Sequence, residues 1–180
     1  MKTNKLFDSL RAFTAACAIL FVVPSYAQKS LKLSDPEIAS VAVVANQIDV
    51  NAGELAKTKT KDKEVVNFAN TMINDHKAVI NQASALVTKL HVTPKDNALS
   101  KKLNAQAKAT MNMLKAKSGK AFDKAYINNE VAYHKAVIST VETTLIPQTQ
   151  NQELKQLLQN VLPALRTHLE HAEMVQKSYK

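Results

Sequence analysis

Beyond its first thirty residues the chain repeats apolar positions every three to four residues and almost nowhere alternates them. That period belongs to amphipathic helices. The spacing predicts a helix from about Asp35 to Thr58, with Ile38, Val41, Ala42, Ala45, Ile48, Ala52 and Leu55 on one face. Ser34 and Glu37 stand as a capping box before it, and Pro36 suits a first turn. A second helix runs from about Lys63 to His91, before Pro94, and buries Val65, Phe68, Ala69, Met72, Val79, Ile80, Ala83, Leu86, Val87 and Leu90. A shorter, more polar helix covers Asn97 to Lys117 and breaks at Ser118-Gly119. A fourth spans about Lys120 to Leu145 and is expected to stop before Pro147. The last runs from about Gln152 to Gln176, with Leu154, Leu157, Leu158, Val161, Leu165, Leu169 and Ala172 inward. An interior proline lacks a backbone donor and crowds the preceding turn, so Pro163 predicts a kink.

Helices of this length bury their stripes against one another as a bundle. Short polar turns join the first two and the last two, and the middle connection is long and carries the short helix. That is the one-crossover arrangement of ferritin-like four-helix bundles. The expected fold is therefore all-α, a ferritin-like bundle with a short extra helix in its crossover.

The amino terminus does not fit the helical pattern. Lys2, Lys5 and Arg11 precede an uncharged run from Ala12 to Val23, too short for a membrane span of about 20 residues. Pro24 ends the run, and Ser25-Tyr26-Ala27 offers small residues where a signal peptidase reads. Residues 1–27 thus read as a signal peptide and residues 28–180 as the mature domain, exported to the periplasm. The apolar run continues past Cys17, which argues against lipid attachment there. Cys17 is the chain's single cysteine, so the mature domain has no thiol.

Composition narrows the function by exclusion. Two glycines in 180 residues leave no glycine-rich phosphate loop. No Gly-x-Ser-x-Gly or His-Glu-x-x-His stands in the sequence, and no nucleophile–base motif, which argues against an enzyme. The net charge is +9, and +7 once the first 27 residues, with three basic groups and one acidic, are set aside. The lysines lie on predicted solvent faces, where they could attract an anionic lipid or polysaccharide surface or another envelope partner. Export and the lack of an aromatic stacking platform argue against nucleic acid.

The chemistry lies in a few polar residues on apolar stripes. His76 falls among Phe68, Met72, Val79 and Ile80; His134 among Ile127, Val131, Ile138 and Val141; His168 among Val161, Leu165, Leu169 and Ala172. Glu130 sits one turn before His134 on the same face. His76-Lys77-Ala78-Val79-Ile80 recurs as His134-Lys135-Ala136-Val137-Ile138, with core positions matching on both sides. The two histidines are therefore expected at similar heights on parallel helices. Inward histidines and carboxylates are the ligands of bundle-core sites for iron, zinc, copper or manganese. The candidate metal ligands are His76, Glu130, His134 and His168, with Glu54 from the first helix. Ligands of one ion must converge to within about 4 Å. The competing reading is a buried polar network satisfied by its own hydrogen bonds. A di-iron oxidoreductase would need more inward carboxylates than the stripes supply. Met72, Met111, Met113 and Met174 are soft donors for copper(I), but Met111 and Met113 fall on different faces, so packing explains them.

Three blocks carry a family resemblance: Phe68-Ala69-x-x-Met72-Ile73-x-Asp75-His76, Ser118-Gly119-x-x-Phe122-Asp123-x-x-Tyr126, and Leu162-Pro163-x-Leu165-x-x-His168-Leu169. From about Pro36 to Val175 the chain resembles the bacterial domain-of-unknown-function family forty-one forty-two, often labelled an outer-membrane protein. The resemblance implies a ferritin-like periplasmic bundle, without implying an activity. The family's Asp-His block maps onto Asp75 and His76, and its helix-end glutamate onto Glu54. Where members often carry a second Asp-His, this chain has Tyr133-His134.

Overall fold

The computed structural model describes residues 32–179. The signal peptide, its cleavage after Ala27, and Cys17 lie outside the described residues. The described part is all-α, with no strand. Its elements are α1 (Asp35–Lys59), α2 (Lys63–Lys89), α3 (Ala98–Lys115), α4 (Gly119–Thr140), a π-helical turn (Val141–Leu145), the single turn α5 (Ile146–Gln148), and α6 (Gln152–Lys177).

Short polar side chains mark the starts of α1, α2, α3 and α6. The Glu37 carboxylate accepts from the Ser34 amide at 2.9 Å and the Ser34 hydroxyl at 2.7 Å. Asp62 accepts from the Glu64 amide at 2.9 Å and starts α2. Asn97 accepts from Leu99 and Ser100, while Ser100 Oγ accepts from the Asn97 amide. Asn151 accepts from Leu154 and starts α6. These contacts satisfy donors that a helix leaves orphaned at its beginning. The Asp35 carboxylate accepts from the amides of Gln150 and Asn151, which ties the start of α1 to the turn before α6.

The hairpin α1–α2 and the hairpin α4–α6 pack together, with α2 against α6 and α1 against α4. The long connection between them carries α3, which lies on α1 and α4. One difference from the sequence expectation occurs at a proline. The fourth helix passes through Pro147 instead of stopping before it. Its register opens by one residue in the π-turn, where the Ile146 amide donates to the Val141 carbonyl, and Pro147 starts the turn α5 at a position that needs no amide donor. Pro163 lies on the exposed face of α6, which continues unbroken to Lys177.

Two apolar clusters form the core. One gathers Ala52, Phe68, Met72, Phe122, Tyr126, Val131, Ala172 and their neighbours. The other gathers Ile38, Val41, Ile138, Val141, Leu145, Leu158, Leu165 and others. On every long helix of the bundle, the residue between them is polar: Asp49 on α1, His76 on α2, His134 on α4 and His168 on α6. The core is thus two apolar layers with a polar layer between them.

Candidate metal centre

Asp49, Glu130 and His134 are each 1% exposed, His76 4% and His168 5%. The helical period puts them there. Asp49 follows Ala45 by four residues and precedes Ala52 by three, so it shares their inward stripe. His76 follows Met72 by four, His134 follows Glu130 and Val131, and His168 follows Leu165. The rings of His76, His134 and His168 form a triangle with centroid separations of 5.2, 5.6 and 5.7 Å. The repeated segments therefore place His76 and His134 at the same level, as their alignment predicts.

Each ring is held by one nitrogen. His76 Nδ1 lies 2.7 Å from Asn46 Oδ1, His134 Nδ1 lies 3.0 Å from the Glu130 carbonyl, and His168 Nε2 lies 2.9 Å from Asp75 Oδ2. All three partners accept hydrogen bonds, so each held nitrogen carries the proton. The other nitrogens, His76 Nε2, His134 Nε2 and His168 Nδ1, are buried without a hydrogen-bond partner, as are both oxygens of Asp49. Asp49 Oδ2 stands 3.1 Å from His76 Nε2 and 3.5 Å from His134 Nε2, close but not aligned as hydrogen bonds. One donor atom from each histidine lies within 4.8 Å of the others, and Asp49, Glu130 and His134 form a second group of that size. A bound ion at 2.0–2.3 Å would draw such atoms to within about 4 Å, a closure of under about 1 Å.

Charge is arranged to suit a cation. Burial pushes the pKa of His134 and of His168 below the ordinary histidine value, which favours the neutral ligand form. Burial also works to raise Asp49, but the imidazoles of His76 and His134 close to it outweigh that and hold the carboxyl below its usual value. Glu130 goes the other way. Burial and the nearby charge of Asp49 push it well above the usual glutamate value. The two neighbouring acids are thus pushed in opposite directions, Asp49 towards the ionised form and Glu130 towards the protonated form.

Four of the five sequence candidates meet in this layer: His76, Glu130, His134 and His168. Glu54 does not join them. It is exposed on the outer arc of α1 and pairs with Lys77 at 2.8 Å. Asp49 takes the place on α1 expected of Glu54, and the alanines on either side were the signal for it. Asp75 is half-exposed, yet reaches inward to His168 from the rim. Tyr133, beside His134 in the sequence, donates its hydroxyl to the Ala45 carbonyl at 2.9 Å. His171 packs its ring on Phe68 outside the layer, and His91 is exposed at the end of α2. Met72 is buried in the core, while Met113 and Met174 are exposed.

The model of the family described as "Domain of unknown function (DUF4142)" matches residues 22–175. The chain belongs to this family. No curated protein matches it. Among solved structures it is similar to "CopM in the Cu(II)-bound form", with a TM-score of 0.63 at 12% identity, over 83% of this chain and 100% of that one. At that identity the likeness is one of fold alone. No helix among the described residues is long and apolar enough to cross a membrane.

Proposed function

We propose that this DUF4142 chain is an exported metal-binding protein of the bacterial envelope that holds one divalent transition-metal ion in the polar layer of its bundle. His76, His134, His168 and Asp49 are the ligands, and Glu130 stands beside Asp49. One observation carries the reading: three buried histidines whose outer ring nitrogens are held by acceptors turn unpartnered nitrogens into one layer, with the Asp49 carboxylate beside two of them and no hydrogen-bond donor among the described residues reaching them. Unmet lone pairs and a buried charge are costly unless a cation joins them.

The donor set names the class of ion. Three imidazoles and one carboxylate, with no thiolate or thioether, suit zinc(II) and copper(II) over copper(I). The copper(II) bound by the structural neighbour CopM supports the same choice. Asn46, the Glu130 carbonyl and Asp75 hold the outer ring nitrogens, an arrangement that metal-bound histidines share. The test is the metal content of untagged protein after dialysis against copper(II) or zinc(II), repeated with His76→Ala and His134→Ala. One ion per chain in the wild type, lost in both variants, is expected. Sub-stoichiometric metal that ignores both substitutions leaves a buried polar network.

A further inference from the structure

The polar layer is not closed on all sides. His76, His134, His168 and Asp49 all line one cavity of about 330 Å³, whereas Glu130 stands behind Asp49 and does not. Away from these four residues the wall is largely aliphatic: Val41, Val79, Val137, Val141, Leu145 and Leu158 are typical. No lysine or arginine lines it. Asp75, Gln106, Ala132, Ala136 and Ala164 are lining residues that are also exposed, so the cavity reaches the surface. The π-turn supplies Val141 and Leu145 to the wall, and such turns are frequent at functional sites. The ligand side chains form part of this wall, so an ion they hold faces the cavity, and a four-coordinate ion of this kind can expand to take a fifth ligand from that side.

Resting on the metal reading above, the geometry points to a second ligand: a free aliphatic carboxylate, its chain in the cavity and its head on the metal ion. The size of the chain follows from the volume. A cavity of roughly 150 Å³ takes benzene, so 330 Å³ holds about a dozen non-hydrogen atoms, the size of decanoate. The anchoring follows from the charges. Asp49 and Asp75 are the charged side chains of the wall besides the histidines, and they repel an anionic head. Only a cation held by the histidines attracts it, so carboxylate binding must depend on the metal.

The test uses the protein loaded with zinc(II), freed of excess ion and titrated with sodium decanoate below its micellar concentration by calorimetry. Metal-free protein is the control. One decanoate per chain is expected, bound at least about tenfold tighter with zinc than without. Ala107→Phe and Leu103→Trp, on the α3 wall and remote from the ligands, should keep zinc and helical content while losing decanoate. Either variant that stays folded suffices. Zinc uptake without decanoate binding overturns this inference alone. So does equal affinity with and without zinc, or decanoate retained by a folded, zinc-loaded wall variant. Failure of zinc uptake itself overturns both this inference and the metal reading.

Discussion

At the scale of single residues, the layer assigns different work to groups of one chemical type. Asp49 and Glu130 are both buried carboxyls, but their surroundings lower one and raise the other. Asn46 meets the outer nitrogen of His76 through Oδ1 and donates Nδ2 to the Ala42 carbonyl of its own helix, so it is not itself a ligand. Asn46→Ala should therefore weaken metal binding by roughly 10–100-fold without removing a ligand, measured by competition with a chelator. Glu54→Ala should leave metal uptake unchanged, because Glu54 meets Lys77 at the surface. The pH dependence of the metal-free protein has two opposed parts. His134 and His168 are depressed, so their stability is present above about 6.5 and lost as pH falls through that value towards their folded ones. Glu130 is raised, so its stability is present below its ordinary value and lost as pH rises. Glu130→Gln keeps the side chain's size, removes its titration and so removes the second part. Its stability relative to wild type should grow between pH 5 and pH 8 in chemical denaturation, and parallel curves would contradict the assignment. His76, His134, His168 and Glu130 were legible in the sequence because each interrupts an apolar period. Asp49 obeys the same period between Ala45 and Ala52, but neighbours Ile48, which drew the stripe one residue away. The partners Asn46 and Asp75 were not legible, since each depends on where another helix passes.

At the scale of elements, the helices are set by local signals and their spacing by a few close approaches. Ser34, Asp62 and Asn97 mark starts that the sequence displays, and Pro36 agrees with the first of them. Asp62→Ala should cost about 1 kcal/mol of stability by urea denaturation, because two amides of α2 lose their acceptor. Gly53 works differently. A Cβ there would come 3.0 Å from Ile73 Cγ1 and 3.1 Å from the Ala69 carbonyl oxygen, so α1 approaches α2 closely at this point. Ile73 can yield a little, whereas the helix carbonyl cannot. Gly53→Leu should destabilise by about 1–3 kcal/mol, read as a lowered urea midpoint with helical content kept. The π-turn was hidden in the sequence. Val141 and Leu145 both continue the apolar pattern, and the extra residue between them shows only in which carbonyl each amide meets.

At the scale of the whole molecule, the all-α bundle and its long crossover were legible from helix lengths and loop lengths. The order of packing, with α3 resting on α1 and α4, comes from tertiary contacts that no local signal encodes. A ligand that binds only the folded chain stabilises it by mass action. Free zinc(II) or copper(II) at 100 times its Kd should add about 2.7 kcal/mol. For a domain of this size that raises Tm by about 5–10 °C, reversed by a chelator and absent in His134→Ala.

The polar layer between two apolar clusters also bears on how the protein comes apart. Each cluster holds one end of every long helix, and the seam between them is the part of the core least rewarded by burial. Without a cation, that seam is where a local opening can separate one end of the bundle from the other. With a cation bound to all four helices, the two ends become one cooperative unit. Amide exchange should then show two sets of protection in the metal-free protein, one for each end, merging into a single slow set when the ion is bound.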